Sequence, residues 1–161
     1  MESILEAINT SGLHDIIRAS TWMWPTLETL HFIGLCLLYG VIAVVDLRLI
    51  GMFKNIAYEW VHGLINLAVA GFIINVVTGV LFYIGDPFRY TPNESFQFKM
   101  VCLVLAGINL LVFTFKVKDE AKQVGPGSST SVLAKCVGAA SILLWTGVIA
   151  GGRLIPFYGP Y

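Results

Sequence analysis

Glu28 and His31 stand three residues apart inside a run, Trp22 to Gly51, that reads WMWPTLETLHFIGLCLLYGVIAVVDLRLIG and is apolar enough to cross a bilayer. A carboxylate and an imidazole together can accept, relay or release a proton, and the imidazole can also ligate a metal or a haem iron. Ionisable groups are expensive in hydrocarbon, so the pair marks a candidate site. Three helical steps leave the two side chains about 60° apart on one face. Lys99 and Arg153 lie at the ends of later apolar runs. There they can offset the charge of Glu28 or extend to the headgroups. A structural ion pair between Glu28 and either cation is the competing reading.

The elements that must position these groups are membrane helices. Of the 161 residues 57% are hydrophobic and only 12% charged, and the mean hydropathy is +0.78, which places the chain outside the usual range of soluble proteins. Four spans fit, at about 22–45, 60–84, 98–115 and 132–152, and they use nearly the whole chain. The expectation is an all-α integral membrane protein, one transmembrane domain over residues 1–161, built as a four-helix bundle. Residues 2–19 carry apolar side chains at helical spacing, with a break at Asn9 to Gly12, and suit one or two short interfacial helices. The same stretch has no basic segment followed by an apolar one, so the first span is expected to direct insertion. A formal net charge of zero offers no footprint for nucleic acid.

Lys and Arg set the orientation. Arg48, Lys54, Lys116, Lys118, Lys122 and Lys135 gather on one side, which is therefore expected to be cytoplasmic, with both termini periplasmic. Trp22, Trp24, Tyr58 and Trp60 fit aromatic belts at the span ends. Antiparallel spans then bring Glu28, His31, Lys99 and Arg153 into the exterior half of the bilayer. One stripe of the second span, Gly71, Asn75, Thr78 and Phe82, and one of the third, Lys99, Cys102, Ala106, Asn109 and Phe113, could wall a polar pocket there. Asn75 and Asn109 serve equally as hydrogen-bonding glue between helices. Asp46 with Arg48 reads as an interfacial ion pair closing the first span.

Three cofactors come into question: haem b, a quinone and copper. His62 cannot share one haem iron with His31, because the two lie roughly 20 Å apart along the membrane normal at about 1.5 Å per residue. His31 would need His14, a weaker ligand or another protomer. For copper, His31, Cys36, Met100 and Cys102 are soft or borderline ligands in one half of the membrane, without a diagnostic spacing. The three cysteines sit in apolar runs with no paired spacing, which argues against a disulfide framework. Asn93 to Ser95 matches a glycosylation sequon, a three-residue pattern that arises by chance. No nucleophile with an adjacent base, phosphate loop or HExxH pattern is present, so hydrolysis and phosphoryl transfer lack support.

Several motifs carry a family likeness. IRAS (Ile17 to Ser20), WPxxExxHxxG (Trp24 to Gly34), Gly40, DLRLIG (Asp46 to Gly51), FQFK (Phe96 to Lys99), Asn109 and GGRLI (Gly151 to Ile155) span nearly the whole chain. Together they make a sequence that resembles a family of small, four-span bacterial inner-membrane proteins classed as a domain of unknown function. The resemblance implies that Arg18, Glu28, His31, Asp46, Arg48, Lys99, Asn109 and Arg153 belong to the family pattern, with His14 and His62 outside it. It implies no activity. Three classes of function therefore stand as expectations. The first is a non-catalytic module, as a homo-oligomer or an accessory subunit of a larger membrane redox complex, holding a cofactor or quinone near Glu28 and His31. The second is a transporter or channel for protons, metal ions or small solutes, and the third a purely structural subunit.

Overall fold

The computed structural model describes residues 2–55, 63–125 and 127–158. Those residues form helices joined by turns, with no strand among them. Two short helices, α1 (Glu2–Asn9) and α2 (Gly12–Ala19), precede the first long one. Ser11 joins them: its hydroxyl donates to the Ile8 carbonyl at 2.6 Å and accepts from the His14 backbone N–H at 3.2 Å, capping α2. Leu5 and Ile17 turn inward, while Ile4, Leu13, Ile16 and Trp22 stay exposed, as expected for helices lying on a membrane surface.

Helix α3 (Met23–Ile50) admits Pro25 in its first turn, where no intrahelical N–H bond is lost. It ends at Gly51, whose φ of 99° is left-handed. The Gly51 N–H reaches the Leu47 and Arg48 carbonyls, and the Met52 N–H returns to Leu47 at 3.0 Å. The helix thus runs past the expected boundary at residue 45, because Asp46 and Arg48 are enclosed by protein, at 5% and 2% exposure, and do not meet the interface.

Helix α4 (Ile65–Gly85) is the second span. The expected start near Trp60 falls outside the described residues, as do Tyr58 and His62. A short helix α5 (Pro87–Tyr90), capped by Asp86, occupies what reads as a turn in the sequence. Asn93 then caps α6 (Glu94–Val112), its carbonyl accepting from the Phe96 N–H at 3.0 Å. The sequon asparagine is fully buried and its amide is spent on the Ile155 carbonyl at 2.9 Å, which leaves nothing to glycosylate. Helix α6 continues through a π-helical segment, Phe113–Val117, into α7 (Lys118–Gln123). The last helix, α8, is Val132–Tyr158. Its start is tied to α7 by Glu120, whose carboxylate accepts from the Ser131 N–H at 2.6 Å and the Ser131 hydroxyl at 2.7 Å.

Among the described residues four helices are long and apolar enough to cross a membrane: Met23–Ile50, Ile65–Gly85, Glu94–Gln123 and Val132–Tyr158. The chain is a multi-pass membrane protein with the all-α, four-helix architecture that its hydropathy predicts. Its helices pack in two pairs, α3 with α4 and α6 with α8, joined along α3 and α8. The successive spans α4 and α6 barely touch. Glycine sets the closest approach within the first pair. A Cβ on Gly71 would stand 2.6 Å from the Gly34 carbonyl and 2.7 Å from the Leu38 nitrogen, so only hydrogen fits. Outward faces of α4 and α6, with Phe72, Ile73, Val76 and Val80 on one and Val101, Val104 and Ile108 on the other, remain exposed. In a chain of this hydropathy such faces meet lipid.

Candidate functional site

His31 sits one turn outward from Gly34 on α3 and faces α4. Its Nδ1 lies 2.7 Å from the Thr78 hydroxyl. That hydroxyl has a single proton, and the Ile74 carbonyl, 2.7 Å away, takes it. Thr78 therefore accepts from His31, which places the imidazole proton on Nδ1 and the lone pair on Nε2. Nε2 has no partner among the described residues.

An aromatic wall surrounds the ring. Phe82 packs edge-on to His31 at 5.6 Å between centroids, and Trp24 packs edge-on to Phe82 at 5.2 Å. Gly79 also borders the ring, where a Cβ would make an ordinary contact of 3.9 Å with its Cε1. At the same end Ile17 and Trp24 converge on Gly85, where a Cβ would meet them at 2.9 Å and 3.0 Å. The α2 helix is thereby locked over the mouth of the α3–α4 seam. Thr78 and Phe82 come from the polar stripe legible in the second span, and both touch His31. Trp24, read in the sequence as part of an aromatic belt, is instead packed against that wall.

Lys99 is the second charged group the fold brings here. It is half-buried on α6, its stem lying in the cleft left by Gly151 and Gly152: the Cβ positions of those glycines would fall 3.1 Å from Lys99 Cβ and 3.6 Å from its Nζ. The ammonium is close enough to act electrostatically on His31.

Other candidate residues are placed elsewhere. Glu28 is exposed, whereas His31 on the same helix is half-buried against α4. The Glu28 charge reaches Tyr90 on α5, where burial pushes the phenol up to about 12, with Asp86 and Glu28 adding to the shift and Arg89 opposing it. Arg153 is exposed on α8, its guanidinium 6.0 Å from the Phe157 ring of the same helix. Asn109 donates from Nδ2 to the Val137 carbonyl at 3.1 Å, an interhelical bond in the opposite half of the bundle, so it glues α6 to α8 and takes no part at His31. Asn75 donates to the Gly71 carbonyl of its own helix at 2.9 Å. Arg18 is exposed on α2.

The copper ligands do not converge. Cys36 and Met100 are exposed, and the Cys102 sulfur is turned to Gly147. No group of three His, Cys, Asp or Glu side chains with metal-binding geometry occurs among the described residues. His14 is more enclosed than a solvated interfacial residue, its side chain 15% exposed and 3.5 Å from Asp15. His62 lies outside the described residues.

Asp46 and Arg48 do not form the expected ion pair. Residues two apart on a helix point to nearly opposite sides. The Arg48 guanidinium donates to the Gly125 carbonyl at 3.2 Å, whereas the Asp46 carboxyl faces the Ser141 hydroxyl on α8. Ser141 and Thr130, which donates to the Leu49 carbonyl, were not legible as partners, because a lone hydroxyl within or beside an apolar run gives no sign of which helix it will meet.

A family model matches residues 4–158, described as a family of unknown function (DUF6644). The chain belongs to that family. The match covers both helix pairs and nearly all of the N-terminal surface helices of this DUF6644 chain, consistent with the expected uncharacterised family. No curated protein and no solved structure matched it.

Proposed function

We propose that this DUF6644 protein is a non-catalytic module of a bacterial inner membrane that binds a quinone at His31, as a homo-oligomer or as an accessory subunit of a larger membrane redox complex. The observation that carries the reading is the fixed tautomer of His31: Thr78 takes the Nδ1 proton and leaves Nε2 as an acceptor within the membrane half that also holds Lys99. A quinol hydroxyl donates to such a nitrogen, and a quinone oxygen accepts from an ammonium. The Trp24 and Phe82 rings supply apolar contact for the head. Helices α4 and α6 barely touch, so a lipid-soluble molecule approaching between them would have little packing to displace.

The same imidazole orientation suits a metal or haem iron, since ligating histidines hold their other N–H in a hydrogen bond. Quinone is preferred over copper because the soft ligands Cys36 and Met100 point away. It is preferred over haem b because a quinone needs one acceptor and one donor, the roles His31 and Lys99 would fill, whereas a bis-histidine haem would need a second axial histidine. On this reading the termini and surface helices lie on the periplasmic side.

The test is the cofactor content of protein purified in mild detergent, by solvent extraction for quinone, pyridine haemochrome for haem, and metal analysis, beside His31→Ala. Stoichiometric quinone in the wild type, lost from a folded His31→Ala variant, supports the reading. A haem or copper that vanishes in the variant, or a preparation free of all three after added quinone, contradicts it.

A further inference from the structure

Asp46 lies about one turn from the C-terminal end of α3, far from His31, at the crossing of α3 and α8. Gly138 makes that crossing close: a Cβ on it would stand 3.0 Å from the Asp46 carbonyl and 3.2 Å from the Leu49 side chain. The carboxyl is therefore shut in by a neighbouring backbone, and the residue is 5% exposed. Its Oδ2 is buried without a hydrogen-bond partner. Ser141 is the hydroxyl that faces it.

The charged groups on the surrounding elements are directed elsewhere. On α3 itself Arg48 points to Gly125. On α7 the Glu120 carboxylate is held by Ser131, and on α8 Lys135 lies more than a turn before Ser141. On α6 the Asn109 amide is engaged with Val137. Glu59 and His62 lie outside the described residues. An ionised carboxylate enclosed this way, with one facing hydroxyl and no cation in salt-bridge contact among the described residues, is far costlier than the neutral acid.

We infer that Asp46 is a proton-binding site of the bundle, carried as the neutral carboxylic acid and hydrogen-bonded to Ser141. The bound species is a proton and not a metal cation, because hard cations gather about six or more oxygen ligands and the side-chain oxygens here come from Asp46 and Ser141 alone among the described residues. Loss of the proton leaves a carboxylate with a single hydroxyl donor, so uptake and release are tied to any opening of the α3–α8 crossing. This site does not depend on the quinone reading.

Infrared spectroscopy of the full chain in lipid tests the inference at neutral pH. The wild type is expected to show the carbonyl band of a protonated carboxyl, Asp46→Asn to lose it, and Ser141→Ala to shift it. An identical spectrum of wild type and Asp46→Asn in that region overturns the proposal. If Asp46→Asn does not fold, reaction of the wild type with a hydrophobic carbodiimide decides. An adduct at Asp46 whose rate falls as pH rises supports a protonated acid. No adduct at any pH, or protection by sodium at fixed pH, overturns it, the latter in favour of a metal-cation site.

Discussion

The Nδ1 of His31 and the hydroxyl of Thr78 meet at 2.7 Å across the α3–α4 seam, and the Thr78 proton is already committed to Ile74. One threonine thus decides which nitrogen of a membrane histidine is open to a ligand.

Replacing Thr78 by Val keeps the shape and removes the acceptor. The His31 ring is then free to change tautomer, and quinone retention is expected to fall on the order of 10-fold, the usual scale for loss of a supporting partner of a ligating histidine. Titration of purified protein with quinone measures this, with unchanged helix content as the control.

The α3–α4 approach makes opposite predictions for two glycines. Gly71→Ala drives a methyl group into the backbone at Gly34 and Leu38, and is expected to lower stability by about 1–3 kcal/mol as overpacking does. Gly40→Ala meets nothing within 4 Å and should be neutral or stabilising, by up to about 1 kcal/mol from helix propensity. Thermal unfolding in detergent ranks the two.

Much of this was legible in the sequence, and the boundary is physical. Hydropathy located all four spans, and the period of the helix put Thr78 and Phe82 in one stripe that does face His31. Depth reasoning groups Glu28, His31, Lys99 and Arg153 but cannot give azimuth, and the exposed Glu28 and Arg153 differ in this from the half-buried His31 and Lys99. Asp46 and Arg48 read as an interfacial pair because a charged triplet normally closes a span. Only the packing of α8, through Gly138, shows that protein and not water surrounds them. The π-helical segment Phe113–Val117 has no marker in its residues.

Asn93 performs two tasks, capping α6 and holding the Ile155 carbonyl. Asn93→Ala is expected to cost about 1 kcal/mol for the cap and about 1–3 kcal/mol for the carbonyl left unpaired. Chemical denaturation in mixed micelles gives the value.

Tyr90 reports on Glu28. Burial raises its phenol from 10.0 to about 12, and the Glu28 charge contributes in the same direction. Because the folded-state value is the higher one, the stabilisation is complete below pH 10 and is lost as pH rises through about 12. In a tyrosinate absorbance titration, the component missing from Tyr90→Phe should titrate last, and Glu28→Gln should bring it to lower pH.

The central claim is that His31 presents a free Nε2 to a ligand. Nitrogen NMR of protein carrying labelled histidine, with the His31 signals assigned by subtraction of His31→Ala, measures it directly. The account predicts the Nδ1–H tautomer, with an unprotonated Nε2 whose resonance moves when a quinone is added. A proton on Nε2, or a resonance that quinone leaves unmoved, contradicts it.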